Sequence, residues 1–427
     1  MSTKEGPVNL GHYANSRETS LPRGTRARRL FSCLVATLIL VSFGLRVTRP
    51  EKPAALVTDL IDIAEDPRLE PYQTLDDAQE CAEWPTSPDS NISTVSFGLL
   101  NGADLLFVLS RGPVIGHFEM IRRRNYSYPG AEPYINVEVT TQYHDEAVLR
   151  RTKVCRMGNE ARNERGVLVW AEPGHPSTSV NVTVIIPPHL RSHKDISTDL
   201  ATFSHDISAS FDRDWWSPTY FKDLRFKSSD APIQFPGLRG RSAAIQTSNG
   251  EVRGYFEATK EIQIQTRNAP IEVFAVMRDL DGEITLRTSN GTIEGLFVVD
   301  DRLVNRTIRA HVHTSHAAIR LVADPPVNSS LILDVSTSEA PVSVYLGPSY
   351  EGTYDLQTTQ GRAEVESNST VEDPSEMGRR RTVHRTASDL HEHVWGHTYW
   401  SFDGEPSSEG INRGSVSIRS TESDVAL

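Results

Sequence analysis

A chain of 427 residues, 37% of them hydrophobic, is long enough for two or three domains and apolar enough to bury a core. Its formal net charge of −12 argues against a nucleic-acid partner, because binding to phosphates requires clustered cations. Glycine and proline stand near their average share, which excludes a mostly low-complexity chain.

Residues 1–29 form a basic tail that precedes an apolar run. Residues 30–45 carry no charged side chain, and arginines flank them on both sides. With Val47, Thr48 and arginines that extend toward the headgroups, residues 30–48 approach the roughly 20 positions that a membrane-spanning helix needs. We predict an uncleaved transmembrane signal anchor at 30–48; a cleaved signal peptide is the alternative.

The glycosylation sequons orient this anchor. Arginine counts on its two sides are nearly equal, so the positive-inside rule decides little. All Asn-x-Ser/Thr sequons follow the anchor, at Asn91, Asn125, Asn181, Asn290, Asn305, Asn328 and Asn368. We therefore predict a type II glycoprotein with a cytosolic tail and a C-terminal part that is luminal or extracellular, in the secretory pathway or at the cell surface. Accidental sequons in a cytosolic protein are the alternative.

The cysteines agree with an oxidising compartment. Cys33 lies inside the apolar run, which leaves Cys81 and Cys155 as the remaining pair. An oxidising compartment would let these two form a disulfide. Two unrelated buried thiols are the alternative.

Three segments precede the repetitive part of the chain. Residues 49–90 contain six prolines and read as a stalk with one short helix. Residues 91–190 read as a smaller β unit with short apolar runs and a hairpin signal at Asn101-Gly102. Residues 191–223 read as a connector with an aromatic patch that includes Trp215 and Trp216.

Residues 224–427 contain a repeat. Its pattern is apolar, any, Thr or Ser, two mostly polar residues, a small residue, any, apolar. Eight segments match it: Phe226–Ile233, Ile245–Val252, Ile264–Ile271, Leu286–Ile293, Val312–Ile319, Val335–Val342, Leu356–Ala363 and Ile418–Val425. Each unit reads as strand, sharp corner, strand, and one unit cannot bury its apolar face without neighbours.

A period near 20 residues favours an all-β, β-solenoid-like stack in which the aligned hydroxyls form a ladder. A β-sandwich or meander of hairpins is the alternative. The repeat, with the preceding Val-Thr-Val-Ile-Ile-Pro-Pro run at 182–188, resembles the putative adhesin family of β-helical surface proteins, in particular its fungal, membrane-anchored members. The resemblance covers roughly residues 180–427 and implies a stacked β architecture in a cell-envelope setting.

A hydrophilic insertion at 366–411 interrupts the repeat and reads as a flexible loop. Its Arg379-Arg380-Arg381 run is either a dibasic protease site or a solvated charge run. Residues 412–427 restore the pattern, so we expect the last coil to close the stack at the C-terminus.

Several residue sets contain side chains that could carry chemistry. Histidines cluster at 311, 313 and 316 and at 391, 393 and 397, as possible metal ligands or as exposed polar side chains. Asp212 and Asp214, and Asp279 and Asp281, form Asp-x-Asp triplets like those that hold a metal in luminal glycosyltransferases, but the alternating helices of such enzymes are missing. Two aromatic sets either stack on sugar rings or cap the ends of the stack: Trp215, Trp216 and Tyr220, and Trp395, Tyr399 and Trp400.

The sequence therefore favours a non-enzymatic, membrane-anchored, adhesin-like interaction protein whose partner is a cell-wall glycan or another surface protein. No catalytic residue, metal site or cofactor is predicted. A membrane-anchored carbohydrate-active enzyme is the alternative, since β-helices also host polysaccharide hydrolases and lyases.

Overall fold

The computed structural model describes residues 66–86, 90–122, 134–187, 190, 192–208, 219–279, 281–299, 306–367, 371–404 and 413–427. These residues lie in one compact unit, Thr58–Leu427. No helix within them is both long and apolar enough to cross a membrane. The predicted basic tail 1–29 and anchor 30–48 lie outside the described residues, as does the first part of the predicted stalk.

Strands dominate the described chain, which confirms the all-β prediction. The helices are two 3₁₀ turns, Pro67–Tyr72 and Leu75–Asp77, and α1, Glu146–Arg151. The first strands are β1 (Glu80–Ala82), β2 (Ile92–Leu100), β3 (Leu105–Arg111), β4 (Val114–Arg122), β5 (Tyr134–Gln142), β6 (Thr152–Asn159), β7 (Glu164–Ala171), β8 (Thr178–Ile186), β9 (Ser192–Asp199) and β10 (Phe203–Ile207).

The later strands cover the repeats and the insertion. They are β11 (Tyr220–Lys227), β12 (Ile233–Gln246), β13 (Val252–Gln265), β14 (Ile271–Met277), β15 (Asp281–Arg287), β16 (Ile293–Val299), β17 (Thr307–His313), β18 (Ile319–Asp324), β19 (Ser330–Ser336), β20 (Val342–Leu346), β21 (Gly352–Thr358), β22 (Ala363–Glu364), β23 (Arg380–Ala387), β24 (His393–Ser401), β25 (Ser415–Ser420) and β26 (Val425–Ala426).

Strand pairing forms two ladders. Ladder A runs, in spatial order, through β1, β6, β7, β3, β9, β11, β12, β13, β15, β17, β19, β25, β21, β24 and β23. Ladder B runs through β2, β5, β8, β4, β10, β12, β13, β14, β16, β18, β20, β26 and β22. The long strands β12 and β13 contribute their first halves to ladder B and their second halves to ladder A.

Pairing is parallel throughout the middle of both ladders. It is antiparallel only at the ends, where β6 and β1, β5 and β2, and β24 and β23 cover the last parallel strands. We call a coil one ladder A strand, the corner after it, and the ladder B strand that follows. Each of the eight sequence repeats spans one such corner, with its two outer apolar residues in the adjoining strands.

The repeat pattern has a clear physical basis at these corners. The hydroxyl residue is buried in every repeat. In several it accepts a hydrogen bond from the backbone N–H three residues later, as between Thr247 Oγ1 and Gly250 N at 3.0 Å. A Cβ on Gly250 would lie 1.9 Å from the carbonyl oxygen of Ala231 in the preceding coil, so stacking requires a small side chain there.

The predicted hydroxyl ladder is present as one direct step, Thr266 Oγ1 to Thr288 Oγ1 at 2.8 Å. Most corner hydroxyls instead donate to a backbone carbonyl of the adjacent coil, as Thr314 does to Gly291 O at 3.2 Å. A row of exposed amides runs beside them: Asn290 Nδ2 donates to Asn268 Oδ1, and Asn268 Nδ2 donates to Asn249 Oδ1, both at 2.7 Å. These bonds connect consecutive coils at the same edge.

The main core is one hydrophobic cluster to which both ladders contribute. The apolar residues that bound each repeat, such as Ile264 in ladder A and Ile271 in ladder B, are fully or almost fully buried. Alternate residues of the same strands point to solvent. At roughly 25 cal/mol per Å² of apolar surface removed from water, this cluster supplies the main stabilisation of the stack.

The C-terminal coil, residues 413–427, lies at a different position in the stack from the one predicted. β25 pairs in parallel with β19 on one side and with β21 on the other, and β26 lies between β20 and β22. The expectation that residues 412–427 close the stack is therefore wrong. Val416, Ile418 and Val425 lie inside the stack because the earlier strands β21 and β22, with the hairpin β23–β24, form its end.

An ion cluster holds this end together. Glu351, just before β21, pairs with Arg413 Nη1 at 2.7 Å and with Arg379 Nη1 at 3.2 Å. Arg379 also pairs with Asp373 at 3.0 Å. Because Arg413 leads into β25 and Arg379 leads into β23, Glu351 joins the C-terminal coil to the insertion.

Three segments differ from the sequence interpretation. Residues 66–82, assigned to the stalk, pack on ladder A; Leu69 and Tyr72 are buried, and the Tyr72 ring stacks on Phe107 at 4.5 Å. Residues 192–207, assigned to the connector, are the strands β9 and β10. The insertion, interpreted as a flexible loop, contains the antiparallel hairpin β23–β24.

Candidate functional site

The solvent face of ladder A carries an unbroken row of in-register side chains. In spatial order this central row is Arg225, Ala244, Gln263, Thr285, His311, Asp334, Ser417, Asp355 and Trp395. Neighbouring members are about 4.8 Å apart, the spacing of paired strands. The row gives this face the polar side chains Arg225, Gln263, His311, Asp334 and Asp355, interrupted by apolar Ala244 and buried Thr285, and it ends in the indole of Trp395.

A second row lies beside the first, toward the corners. Its members are Lys227, Gln246, Gln265, Arg287, His313, Ser336, Arg419, Gln357 and His393. His313 Nδ1 lies 2.9 Å from Ser336 Oγ. Burial, followed by the charge of Arg287, lowers the pKa of His313, so this histidine is neutral at pH 7.

The two histidine clusters of the sequence thus meet on one face. His311, His313, His393 and His397 all project from ladder A on the solvent side, although about 80 residues separate the clusters along the chain. His316 instead lies at a corner, 3.0 Å from Glu339, and His391 adopts a φ of 57° in the β23–β24 turn. Across the described residues, no group of three or more histidine, cysteine or acidic side chains has the arrangement of a metal site.

Trp395 has a polar setting. Its ring lies 4.4 Å from the ring of His393, and His393 Nε2 lies 3.0 Å from Asp355 Oδ1. Gln357 Nε2 donates to the same carboxylate oxygen at 3.0 Å. Asp355 is also the direct strand partner of Trp395, so the carboxylate and the indole are neighbours on a rigid sheet.

The other aromatics of this hairpin are structural. Tyr399 and Trp400 are buried, and Trp400 Nε1 donates to Pro348 O at 2.9 Å. Trp395 in contrast is 39% exposed. The sequence left open whether Trp395, Tyr399 and Trp400 cap the stack or stack on sugars, and the structure divides the set between the cap and the solvent face.

Beyond Trp395 the face ends in a second histidine pair. The rings of His384 and His397 are 4.7 Å apart, and His384 Nε2 lies 3.1 Å from Tyr399 Oη. Burial and the neighbouring His384 lower the pKa of His397. His397 is therefore neutral at pH 7.

At the other end the same face is covered. The segment 66–82, which we call the strap, packs Leu69 and Tyr72 on the outer side of β3, β7 and β6. Arg68 Nη1 lies 2.5 Å from Asp195 Oδ2, and a groove beside the strap is lined by Asp66, Gln73, Asp199, Arg225 and Lys227, among others. The open part of the ladder A face therefore extends from β11 to β24.

The solvent face of ladder B has a different character. Tyr255, Phe274, Leu296, Val322 and Tyr345 form an in-register apolar stripe there. The ion pairs Arg253–Glu272 at 2.9 Å and Glu294–Arg320 at 3.4 Å flank it. The charged side chains that flank the stripe thus pair with each other. The central row of ladder A differs because it combines cationic, anionic, amide and aromatic side chains.

The predicted modification sites are distributed around the stack. Asn91, Asn181, Asn290 and Asn328 are exposed, and Asn125, Asn305 and Asn368 lie outside the described residues. Cys81 and Cys155 are opposite each other in β1 and β6 and are joined as a disulfide. This bond fixes the strap to the edge of ladder A.

The predicted acidic triplets do not assemble into a site. Asp212 and Asp214 lie outside the described residues. Asp281 is the exposed first residue of β15. Sequence reasoning missed Asp355 and Gln357, whose only signal was the alternation of polar and apolar residues along β21.

No protein-family model and no curated protein matches this chain. Among solved structures, a putative adhesin from Bacteroides fragilis aligns with a TM-score of 0.31 and 7% identity, covering 80% of this chain and 99% of its own. A putative cell adhesion protein from Clostridium sporogenes aligns with a TM-score of 0.20 and 6% identity, covering 78% and 98%. Nothing about the ligand of this chain follows from these two structures.

Proposed function

We propose that this chain is a membrane-anchored, non-enzymatic β-solenoid that binds a surface partner, an adhesin-like role, through the open solvent face of ladder A. The observation that carries the proposal is the unbroken central row from Arg225 to Trp395. Binding to such a face spreads over many contacts with a few dominant ones, and exposed aromatic and arginine side chains are the usual dominant contacts. The partner is a cell-wall glycan or another surface protein.

Anchoring and location belong to the same proposal. The apolar run 30–48 would hold the chain in a membrane, with the stack outside the cytosol. The exposed positions of Asn91, Asn181, Asn290 and Asn328 support their glycosylation. The Cys81–Cys155 pair supports an oxidising compartment.

A binding assay on the full-length protein in detergent tests the proposal. The probe is a suspension of purified cell-wall particles, and the test variant reverses the charge of two ladder A side chains, Arg287→Glu and Arg419→Glu. The matched control, Arg253→Glu with Arg320→Glu, places the same change on ladder B. We expect the ladder A variant to lose binding at least tenfold and the ladder B variant to keep it.

Two results would contradict this function. Equal loss in both variants, or in neither, would remove ladder A as the binding face. Release of reducing sugar from the same particles, abolished by a single neutralisation such as Asp212→Asn or Asp334→Asn, would establish the carbohydrate-active enzyme instead.

A further inference from the structure

Trp395 is unusual among the side chains of the ladder A face. It is large, 39% exposed, and surrounded by polar groups, while the adjacent Val394 is fully buried and fixes the strand. A single exposed aromatic ring is common on protein surfaces, so it indicates a ligand contact only together with the polar groups fixed beside it. The aromatic partner within the site, His393, tilts by 33° against the indole and leaves the indole in part open to solvent.

The polar groups beside the indole are fixed before any ligand arrives. Asp355 Oδ1 accepts from Gln357 Nε2 and lies 3.0 Å from His393 Nε2. A carboxylate has roughly four acceptor positions, and the Asp355 side chain is 48% exposed, so acceptor capacity remains toward solvent. The Gln357 amide and the His393 ring hold the carboxylate in one orientation, which lowers the entropic cost of binding.

An indole beside an oriented carboxylate matches the chemistry of a pyranose ring. One side of such a ring is covered by C–H groups, which pack on an aromatic face, and its rim carries hydroxyls that donate to a carboxylate. At this subsite the carboxylate of Asp355 adjoins the indole and favours a neutral sugar unit over an anionic one, whereas the cations Arg287 and Arg419 lie in the second row of the same face. We therefore propose that Trp395, Asp355 and His393 form the primary subsite for one neutral pyranose unit of a polysaccharide, which then follows the central row toward β11.

This subsite rests on the proposed function and specifies its ligand class. The test uses the full-length protein in detergent with four soluble probes: laminarihexaose, chitohexaose and mannohexaose, which are neutral, and hexagalacturonate, which is anionic. We expect saturable binding of at least one neutral hexasaccharide and weaker binding of hexagalacturonate. Trp395→Ala should weaken the neutral interaction at least tenfold, and Trp395→Phe should weaken it less.

Two further variants make the result specific. Tyr345→Ala removes another exposed aromatic ring, on ladder B, and should leave the affinity unchanged. Asp355→Asn keeps the shape of the side chain and should reduce affinity less than Trp395→Ala, with reduced discrimination against hexagalacturonate.

The outcomes separate the subsite from the broader proposal. Absence of neutral hexasaccharide binding, or equal binding by Trp395→Ala and the parent chain, overturns the subsite. If cell-wall particles still bind through ladder A in that case, the proposed function stands and its ligand is of another class. If neither probe binds, both proposals are wrong.

Discussion

At the N-terminal end of the stack, the coil of β3 and β4 lies between the coil of β7 and β8 and the coil of β9 and β10. At the C-terminal end, the coil of β25 and β26 lies between the coil of β19 and β20 and the coil of β21 and β22. Both ends thus contain a coil that is out of chain order. At the N-terminal end both ladders finish in antiparallel strands, whereas at the C-terminal end ladder A does so and ladder B finishes in the short parallel strand β22. Antiparallel strands end a parallel stack without exposing an edge that continues the repeat, which limits addition of further chains.

The chemistry that secures the two ends differs. The N-terminal end has a covalent bond, Cys81–Cys155, and the buried histidines His193 and His205. The C-terminal end has the ion cluster around Glu351. Ion pairs hold both ends, since Arg68 pairs with Asp66 and Asp195 at the N-terminal end. The disulfide and the buried histidines distinguish the N-terminal end, so the two ends should respond to different perturbations.

Removal of residues 413–427 should have the largest effect. It deletes an interior coil, and the loss of buried Val416, Ile418 and Val425 alone is worth about 5 kcal/mol. We expect the C-terminal end to unfold while the N-terminal end keeps its protection, as measured by hydrogen exchange on the otherwise intact chain. Deletion of fifteen residues of the N-terminal tail is the control, and equal protection in both variants would contradict the interior placement.

Glu351→Ala should be the most damaging single substitution at the C-terminal end. It leaves Arg379 and Arg413 without their shared partner, and breaking a buried ion pair costs about 3 to 5 kcal/mol. Chemical denaturation gives the free energy of unfolding. Glu351→Gln keeps the size of the side chain, so a similar loss in both variants identifies the charge as the cause, whereas no loss in either would exclude the cluster as a stabilising element.

Loss of the disulfide should weaken only the N-terminal end. The bond joins residues separated by 74 positions, and the double substitution Cys81→Ala with Cys155→Ala should cost about 2 to 4 kcal/mol. Protection of β1 and β6 against hydrogen exchange should fall. Cys33→Ala leaves the pair intact and serves as the control; faster exchange near β24 in the double variant would show that the ends are not independent.

Mild acid should also separate the two ends. Burial lowers the pKa of His193 to about 4 and that of His205 to about 3, from about 6.5 in the unfolded chain. The unfolded state then binds more protons below pH 6.5. As the pH falls from 6.5 to 4, each of the two histidines lowers the stability of the N-terminal end by about 1.4 kcal/mol for every pH unit.

The C-terminal end should lose less stability over the same acid range, because burial lowers the pKa of His397 in β24 less than it lowers those of His193 and His205. Burial acts to raise the pKa of Asp373, but the hydrogen bonds from Arg379 and Ser375 outweigh it and hold the pKa below its ordinary value of 3.8. The stability from this group is therefore lost only below about pH 4. Hydrogen exchange at pH 5 should loosen β9 and β10 before β23 and β24, and His193→Phe should reduce that difference; the reverse order would contradict the assignment.

Local features of the fold could be predicted from the sequence, and its spatial order could not. The buried Thr and Ser corners, the small residue after them and the apolar residues on either side follow from backbone geometry within one repeat. The position of β25 could not be predicted because coils Val335–Val342 and Leu356–Ala363 present the same pattern, so either could accept Ile418–Val425 as its neighbour.

The candidate site shows the same division. Exposed Trp395 belongs to a motif that the sequence singled out, yet its partner Asp355 is 40 positions away and becomes adjacent only through the antiparallel pairing of β21 with β24. The histidines at 311 and 313 join the face of His393 only because β19, β25 and β21 lie between them. Such contacts depend on strand order, which the repeat pattern does not specify.

Engineered cysteine pairs test that strand order most directly. Ser336 in β19 is the register partner of Arg419 in β25, whereas a stack in chain order would pair Ser336 with Gln357 in β21. In a Cys33→Ala background, Ser336→Cys with Arg419→Cys should form a disulfide on mild oxidation, because adjacent parallel strands place the two Cα atoms within bonding range. Ser336→Cys with Gln357→Cys should not; a disulfide in this second pair, without one in the first, would contradict the interior placement of the C-terminal coil.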